Sequence, residues 1–169
     1  MGSTKIIQIC RIFIEMKRLI IREAELRDLP VLKAFEQELI KAERPFDPTI
    51  RPDPVSYYDL EEYVKSDAVK VVVAEVDGQI VSSGYAYAKA ARTYLDHKEY
   101  AYLGFMYTKP EFRGKGINKN IVDTLKNWAR EHNLPEVRLT VYGENLPAIK
   151  AYEKAGFKSH INEMRLRLK

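Results

Sequence analysis

Cysteine is nearly absent from this chain, Cys10 being the only one. A lone cysteine cannot close an internal disulfide, so nothing points to an oxidising compartment and a cytoplasmic location is expected. Long apolar runs are missing as well. The stretch 6–14 is cut by Gln8, Cys10 and Arg11, short of the roughly 18 apolar residues a membrane-spanning helix needs, and no membrane partner is expected. Only Lys5 precedes that stretch and no small-residue cleavage pattern follows it, so removal as a secretory signal is not expected. Blocks of one charge sign are also lacking. The 28 Lys and Arg are scattered among 24 Asp and Glu, for a net charge of +4, which argues against a dedicated nucleic-acid binder. His97, His132 and His160 have neither ligand spacing nor a cysteine pair beside them, so no metal is expected.

What is present is an ordinary globular composition, 46% hydrophobic and 31% charged over 169 residues. A chain of this length buries roughly 70% of the surface its unfolded form would expose, enough for one core. One domain is expected over residues 18–169, preceded by an extension, 1–17, without an assigned role. The composition leaves room for a homodimer.

Periodicity supplies the elements. A strand is expected from Arg18 to Arg22. Between Glu25 and Arg44, Leu29, Leu32, Phe35 and Leu39 recur at helical spacing, with Pro30 tolerated in the first turn. Prolines crowd into Pro45 to Pro54, which must be irregular and exposed. A second helix is expected from Val55 to Ser66. The β-branched run Lys70 to Val76, the Asp77-Gly78 dipeptide and the run Gln79 to Lys89 read as an antiparallel hairpin. Glu99 to Thr108, stopped by Pro110, reads as another strand. Ile117, Ile121, Val122, Leu125, Trp128 and Ala129 trace one face of a long amphipathic helix, Gly116 to His132. A strand over Val137 to Tyr142 should follow. Asn145 then looks like an N-cap with Pro147 in the first turn, and Gly156 like the end of that helix. Phe157 to Leu168 is expected as a last strand, because Met164, Leu166 and Leu168 alternate with Arg165 and Arg167. This order implies an α+β (α/β) domain with one mixed sheet.

The stretch Thr108 to Asn118 joins a strand to a helix N-terminus through Gly114 and Gly116. Backbone N–H groups in such a turn and in the first helical turn point outward unpaired, and the helix dipole adds positive potential, a combination that suits phosphate. Arg113, Lys115 and Lys119 add formal charge. A glycine-containing turn is, by itself, often only a turn.

The pattern Arg113, two residues, Gly116, one residue, Asn118 resembles the acetyl-CoA pyrophosphate loop of the GNAT N-acetyltransferase superfamily, although Asn118 stands where the family usually has a small residue. Asn145, Ala148, Tyr152, Gly156 and Phe157 resemble the family's second signature, in the family's order. The resemblance implies a GNAT fold: a mixed, mostly antiparallel central sheet whose two parallel strands splay apart to admit acetyl-CoA, flanked by helices. It implies cofactor contacts from Met106, Tyr107 and Thr108, whose backbone N–H groups polarise the thioester carbonyl, from Arg113, Gly114, Lys115, Gly116, Ile117, Asn118 and Lys119, and from Asn145 and Tyr152. It casts Tyr152 as the acid that protonates the departing thiolate. As ordinary residues, Asn145 would simply cap a helix and Tyr152 would pack in a core.

An alkylamine acceptor, of pKa near 10.4, must shed a proton before it attacks. Several GNAT enzymes carry a Glu on the strand that here runs through Gly104. Glu99, at the start of that strand, is the substitute base expected from sequence, with Glu36, Glu38 and Asp96 as further candidates. Asp53, Tyr57 and Tyr58 are expected to border the acceptor, with Tyr85, Tyr87, Tyr100 and Tyr102 as further aromatic walls. Arg44 and Arg51 could instead hold an acceptor's carboxylate. The expected activity is transfer from acetyl-CoA to a primary amine, that of a small molecule, an amino acid or a peptide, by direct attack in a ternary complex. The alternatives are a protein lysine or N-terminal amine as acceptor, and a silent acetyl-CoA-binding module.

Overall fold

The computed structural model describes residues 19–168; the extension expected over 1–17 lies outside the described residues. A five-stranded sheet in the order β1-β2-β3-β4-β5 organises the chain. Its strands are β1 (Leu19–Glu23), β2 (Val69–Val76), β3 (Gln79–Ala90), β4 (Glu99–Thr108) and β5 (Val137–Arg138). The helices are α1 (Leu29–Glu43), α2 (Leu60–Lys65), α3 (Ile117–Glu131) and α4 (Leu146–Lys154). Neighbouring strands are antiparallel except β4 and β5, which are parallel. The mixed sheet expected from sequence is therefore present. No helix among the described residues is long and apolar enough to cross a membrane.

Each face of the sheet buries its own core. On one face the apolar stripe of α3, including Ile121, Leu125 and Trp128, packs on Val72, Val81, Ala101 and Leu103. Ile121 and Leu125 are wholly buried, and each such side chain contributes roughly 1.5–3 kcal/mol of transfer free energy. On the other face Leu32, Phe35 and Leu60 from α1 and α2 cover Val71, Val73, Tyr85, Phe105 and Tyr107. The turn into α1 is fixed by Arg22, whose guanidinium donates to Asp28 at 2.7 and 3.1 Å and to Glu75 at 3.0 Å. That ion pair holds the Asp28 carboxyl below the usual carboxylate range.

β4 contributes to both cores because it contains an extra residue. Ser83 pairs with Tyr107 and Tyr85 with Gly104, so two steps on β3 face three on β4. This is a β-bulge. Phe105 within it has φ +54°, a left-handed conformation that L residues adopt at a cost of roughly 1–2 kcal/mol. Before the bulge Ala101 and Leu103 face α3, and after it Phe105 and Tyr107 face α1. The buried hydroxyls of Ser83 and Ser82 donate to the carbonyls of Phe105 at 3.1 Å and Tyr107 at 2.6 Å. Both hydroxyls thereby tie β3 to β4 across the bulge.

Three expected elements differ. The helix expected from Val55 begins only at Leu60, since Glu36 draws the N–H groups of Tyr57 and Tyr58 into an extended segment and Asp59 caps the helix through the Glu62 N–H. The strand expected over Val137 to Tyr142 pairs with β4 at only two positions, Ala101 with Val137 and Tyr102 with Arg138. The pairing ends just before the β4 bulge, and the two strands part. The strand expected from Phe157 to Leu168 is not formed. Instead Arg165 makes a two-pronged ion pair with buried Asp47, at 2.9 and 3.0 Å, and Met164 and Leu166 stand exposed on either side of it.

Candidate active site

The divergence of β4 and β5 opens a cleft. Beyond Tyr102 the free edge of β4 has no strand partner among the described residues, and the N-terminal end of α3 lies just past the end of β4. Gly114 and Gly116 have φ of +73° and +79°, and a Cβ at either would meet nothing within 4 Å. Glycine is thus required there for backbone conformation and not for room. Gly116 is the N-cap of α3 and has no side chain to bond the first-turn N–H groups, which leaves them available to an anion. The cations of this loop sit at its rim. Arg113 donates from Nε to the Thr108 carbonyl at 2.9 Å, the Lys115 ammonium lies 5.3 Å from the Phe112 ring centre, and Lys119 pairs with Asp123. Ile117 is buried in the core, so only its backbone can serve a ligand, and Asn118 is half-buried.

Met106, Tyr107 and Thr108 occupy the last stretch of β4. Their side chains are already engaged: Met106 packs toward α3, the Tyr107 ring lies 4.6 Å from Phe35, and the Thr108 hydroxyl is 2.8 Å from Ser82 Oγ. What they can offer a ligand is backbone. Asn145 caps α4 by accepting the Ala148 N–H at 3.3 Å. Tyr152, two turns along α4, is half-buried against Phe157, with ring centres 5.9 Å apart. Burial first, then the nearby Glu43 and Tyr102, push its pKa up to about 12. The hydroxyl is therefore fully protonated at neutral pH and able to donate.

Glu99 is not brought into this group. It is exposed at the opposite end of β4, roughly 23 Å of strand from Met106 at about 3.3 Å per residue. Gly104, where the resemblance would place a carboxylate, is covered by Tyr85: a Cβ there would meet the Tyr85 Oη at 2.3 Å. Asp96 is exposed and bound to His97 at 2.7 Å. Glu36 is buried and saturated, accepting from Ser56 Oγ and from the Tyr57 and Tyr58 N–H groups.

Tyr100 is covered by Arg138, whose guanidinium lies 4.0 Å over its ring. Arg44, considered above as a carboxylate clamp, instead staples its own loop, donating to the Arg51 carbonyl at 2.8 Å and to Asp53 at 2.7 Å. The residue sequence reasoning missed is Glu43, at the end of α1. Its half-buried carboxylate faces the Tyr57 hydroxyl and is electrostatically coupled to Tyr57, Tyr58, Tyr142 and Tyr152. Burial raises its pKa above the ordinary glutamate range. No local signal sets it apart, since in sequence it is one more charged residue at a helix end.

The chain thus shows a loop of outward N–H groups at the start of α3, a pair of parallel strands that part after two residue pairs, and a protonated tyrosine on α4. Residues 35–157 match the acetyltransferase (GNAT) family. The chain belongs to that family. Among the described residues no group of His, Cys, Asp and Glu could hold a metal ion. A Sodalis glossinidius protein named as an acetyltransferase is 29% identical over 100 residues. The match covers 59% of this chain and 65% of that relative, just under two thirds of its length. Among solved structures, a tetramutant of a Bacillus halodurans protein superposes with a TM-score of 0.77 at 20% identity, covering 88% of this chain and 99% of that one. An aminoglycoside N-acetyltransferase solved in complex with CoA superposes at 0.69 with 17% identity, over 89% and 99%. At these identities the structural likeness speaks for the GNAT fold alone.

Proposed function

We propose that the chain transfers the acetyl group of acetyl-CoA to the primary amine of a small molecule, by direct attack while both substrates are bound. The observation that carries this reading is the bare N-terminus of α3, which follows a β4 edge that loses its strand partner after Tyr102. The first-turn N–H groups of α3, with Arg113, Lys115 and Lys119 at the rim, suit a pyrophosphate. Acetyl-CoA supplies an activated thioester when bound. Fixed backbone donors along the free edge of β4 suit the oxyanion that forms on its carbonyl. Tyr152 holds a proton at its Oη for the departing thiolate. Because a thiol is already a tolerable leaving group, that donation contributes on the order of tenfold, the low end for general acids. No acyl-enzyme is required.

A small-molecule acceptor is favoured by the aromatic enclosure of the α1 side, and an aminoglycoside enzyme among the structural neighbours agrees with it. The test is thiol release from acetyl-CoA across a panel of amines and peptides. Turnover with a small amine is expected, and Tyr152→Phe should lower kcat about tenfold with cofactor affinity and thermal stability unchanged. Turnover with peptides only would move the acceptor to a protein lysine or N-terminus. Acetyl-CoA binding without thiol release from any acceptor would leave the silent binding module as the reading.

A further inference from the structure

We propose that Glu43 binds the ammonium group of the acceptor and so selects a cationic amine that carries no carboxylate of its own. This rests on the acetyltransferase reading above and adds to it a substrate class and the residue that chooses it.

Glu43 ends α1 where three other parts of the chain converge: the extended segment holding Tyr57 and Tyr58, the segment after β5 holding Tyr142, and α4 holding Tyr152. The surrounding rings are held by their own contacts. Tyr58 lies 5.8 Å from Tyr57 and 5.4 Å from Phe105, Tyr142 stacks on Phe46 at 5.9 Å, and Glu36 anchors the backbone of both Tyr57 and Tyr58. The Glu43 carboxylate thus has a neutral hydroxyl facing it, and the ion pairs of the described residues give it no cationic partner.

The guanidinium groups closest to the cluster are committed elsewhere, Arg44 to Asp53 at 2.7 Å and Arg165 to Asp47 at 2.9 Å. Lys89 lies 4.7 Å over the Tyr102 ring. A half-buried carboxylate without a cation is penalised by desolvation, and an incoming ammonium relieves that penalty. Aromatic faces reinforce the attraction. An acceptor with its own carboxylate would instead set a second negative charge beside Glu43, with the nearby guanidiniums already engaged. The Glu43 charge also reaches Tyr152, the residue read above as the acid, so an ammonium held at Glu43 would be near that residue.

The site can be tested without turnover by calorimetric titration of the full chain, in the presence of CoA, with benzylamine and its uncharged isostere benzyl alcohol. Benzylamine should bind at least about tenfold more tightly, the scale of a charge-assisted hydrogen bond. Glu43→Gln should abolish that preference and Glu43→Asp keep part of it, with acetyl-CoA affinity within about twofold in all three. The preference should also fade as pH falls through the raised pKa of Glu43, at a higher pH than the roughly 4.3 of an exposed glutamate. In Glu43→Gln it should show no such transition. The facing tyrosines, all raised, stay neutral in that window, and the Asp47–Arg165 pair, with Asp47 lowered and Arg165 raised, does not titrate in it. The transition therefore belongs to Glu43; a purely structural glutamate would not produce it. Equal affinity for the two probes, or a preference that survives Glu43→Gln, overturns the proposal. A chain that prefers benzylamine but fails to bind acetyl-CoA supports the ammonium site and overturns the acetyltransferase reading instead.

Discussion

On the α3 side of β4, the groups offered to a ligand are backbone N–H groups within one continuous stretch, 113–119. On the α1 side they are side chains brought from separate places: Glu43 at a helix end, Tyr57 and Tyr58 in an extended segment, Tyr142 after β5, and Tyr152 on α4. The first kind of site depends on local conformation, set by two glycines with positive φ, and tolerates changes of side chain around it. The second exists only when the whole sheet and its flanking helices are in place, and each member depends on contacts the others make. A protein built this way can keep one ligand constant while the other varies.

The comparison can be broken or sharpened at three positions, in falling order of effect. Arg113→Glu reverses a charge at the rim of the α3 loop and should weaken acetyl-CoA binding by roughly a hundredfold, the scale of a lost charge-assisted contact plus repulsion. Benzylamine binding should be unaffected. Equal acetyl-CoA affinity in calorimetry would show that the loop does not meet the phosphates. Gly104→Ala forces a Cβ against the Tyr85 hydroxyl and should lower stability by about 1–3 kcal/mol, as overpacking does. The loss would be read by denaturant melts. Since Tyr85 packs on Tyr58 at 5.4 Å, the damage should spread to the acceptor side and spare the α3 loop. Asp53→Ala removes only the largely exposed ion pair with Arg44 and should cost less than about 1 kcal/mol. Its acceptor KM should stay unchanged, and a rise of several-fold would mean that the 44–54 loop touches the ligand after all.

Legibility followed the same division. The hairpin at Asp77-Gly78, the span of β4 and the buried stripe of α3 could be read directly, because period and turn chemistry are local. The helix starts at Gly116 and Asn145 could be read as well, because their capping signals lie within short, ordered stretches. The extended segment before Leu60 could not, since what unwinds it is Glu36, some 20 residues away. Nor could the short length of β5, which depends on a bulge in its neighbour, or the course of the tail, which depends on Arg165 meeting Asp47 118 positions earlier. Glu43 was invisible for the same reason: its neighbours, not its own context, make it unusual. Glu99 was chosen by nearness in sequence to the right strand, and a strand carries its ends far apart.

The extra residue in β4 can be thought of as a shift of reading frame. A strand has two phases, and every side chain downstream of an insertion is read by the opposite face. Upstream of Gly104 odd-numbered residues are read by the α3 core, and downstream they are read by the α1 core. Straightening the bulge with every residue kept would exchange Tyr107 for Met106 and Thr108 against α1. Deleting one residue there would instead restore plain alternation, with Phe105 and Tyr107 still on the α1 side and Met106 on the α3 side. The bulge is thus the frame-setting position of β4: it decides which core reads the end of the strand, without touching the side chains that are read.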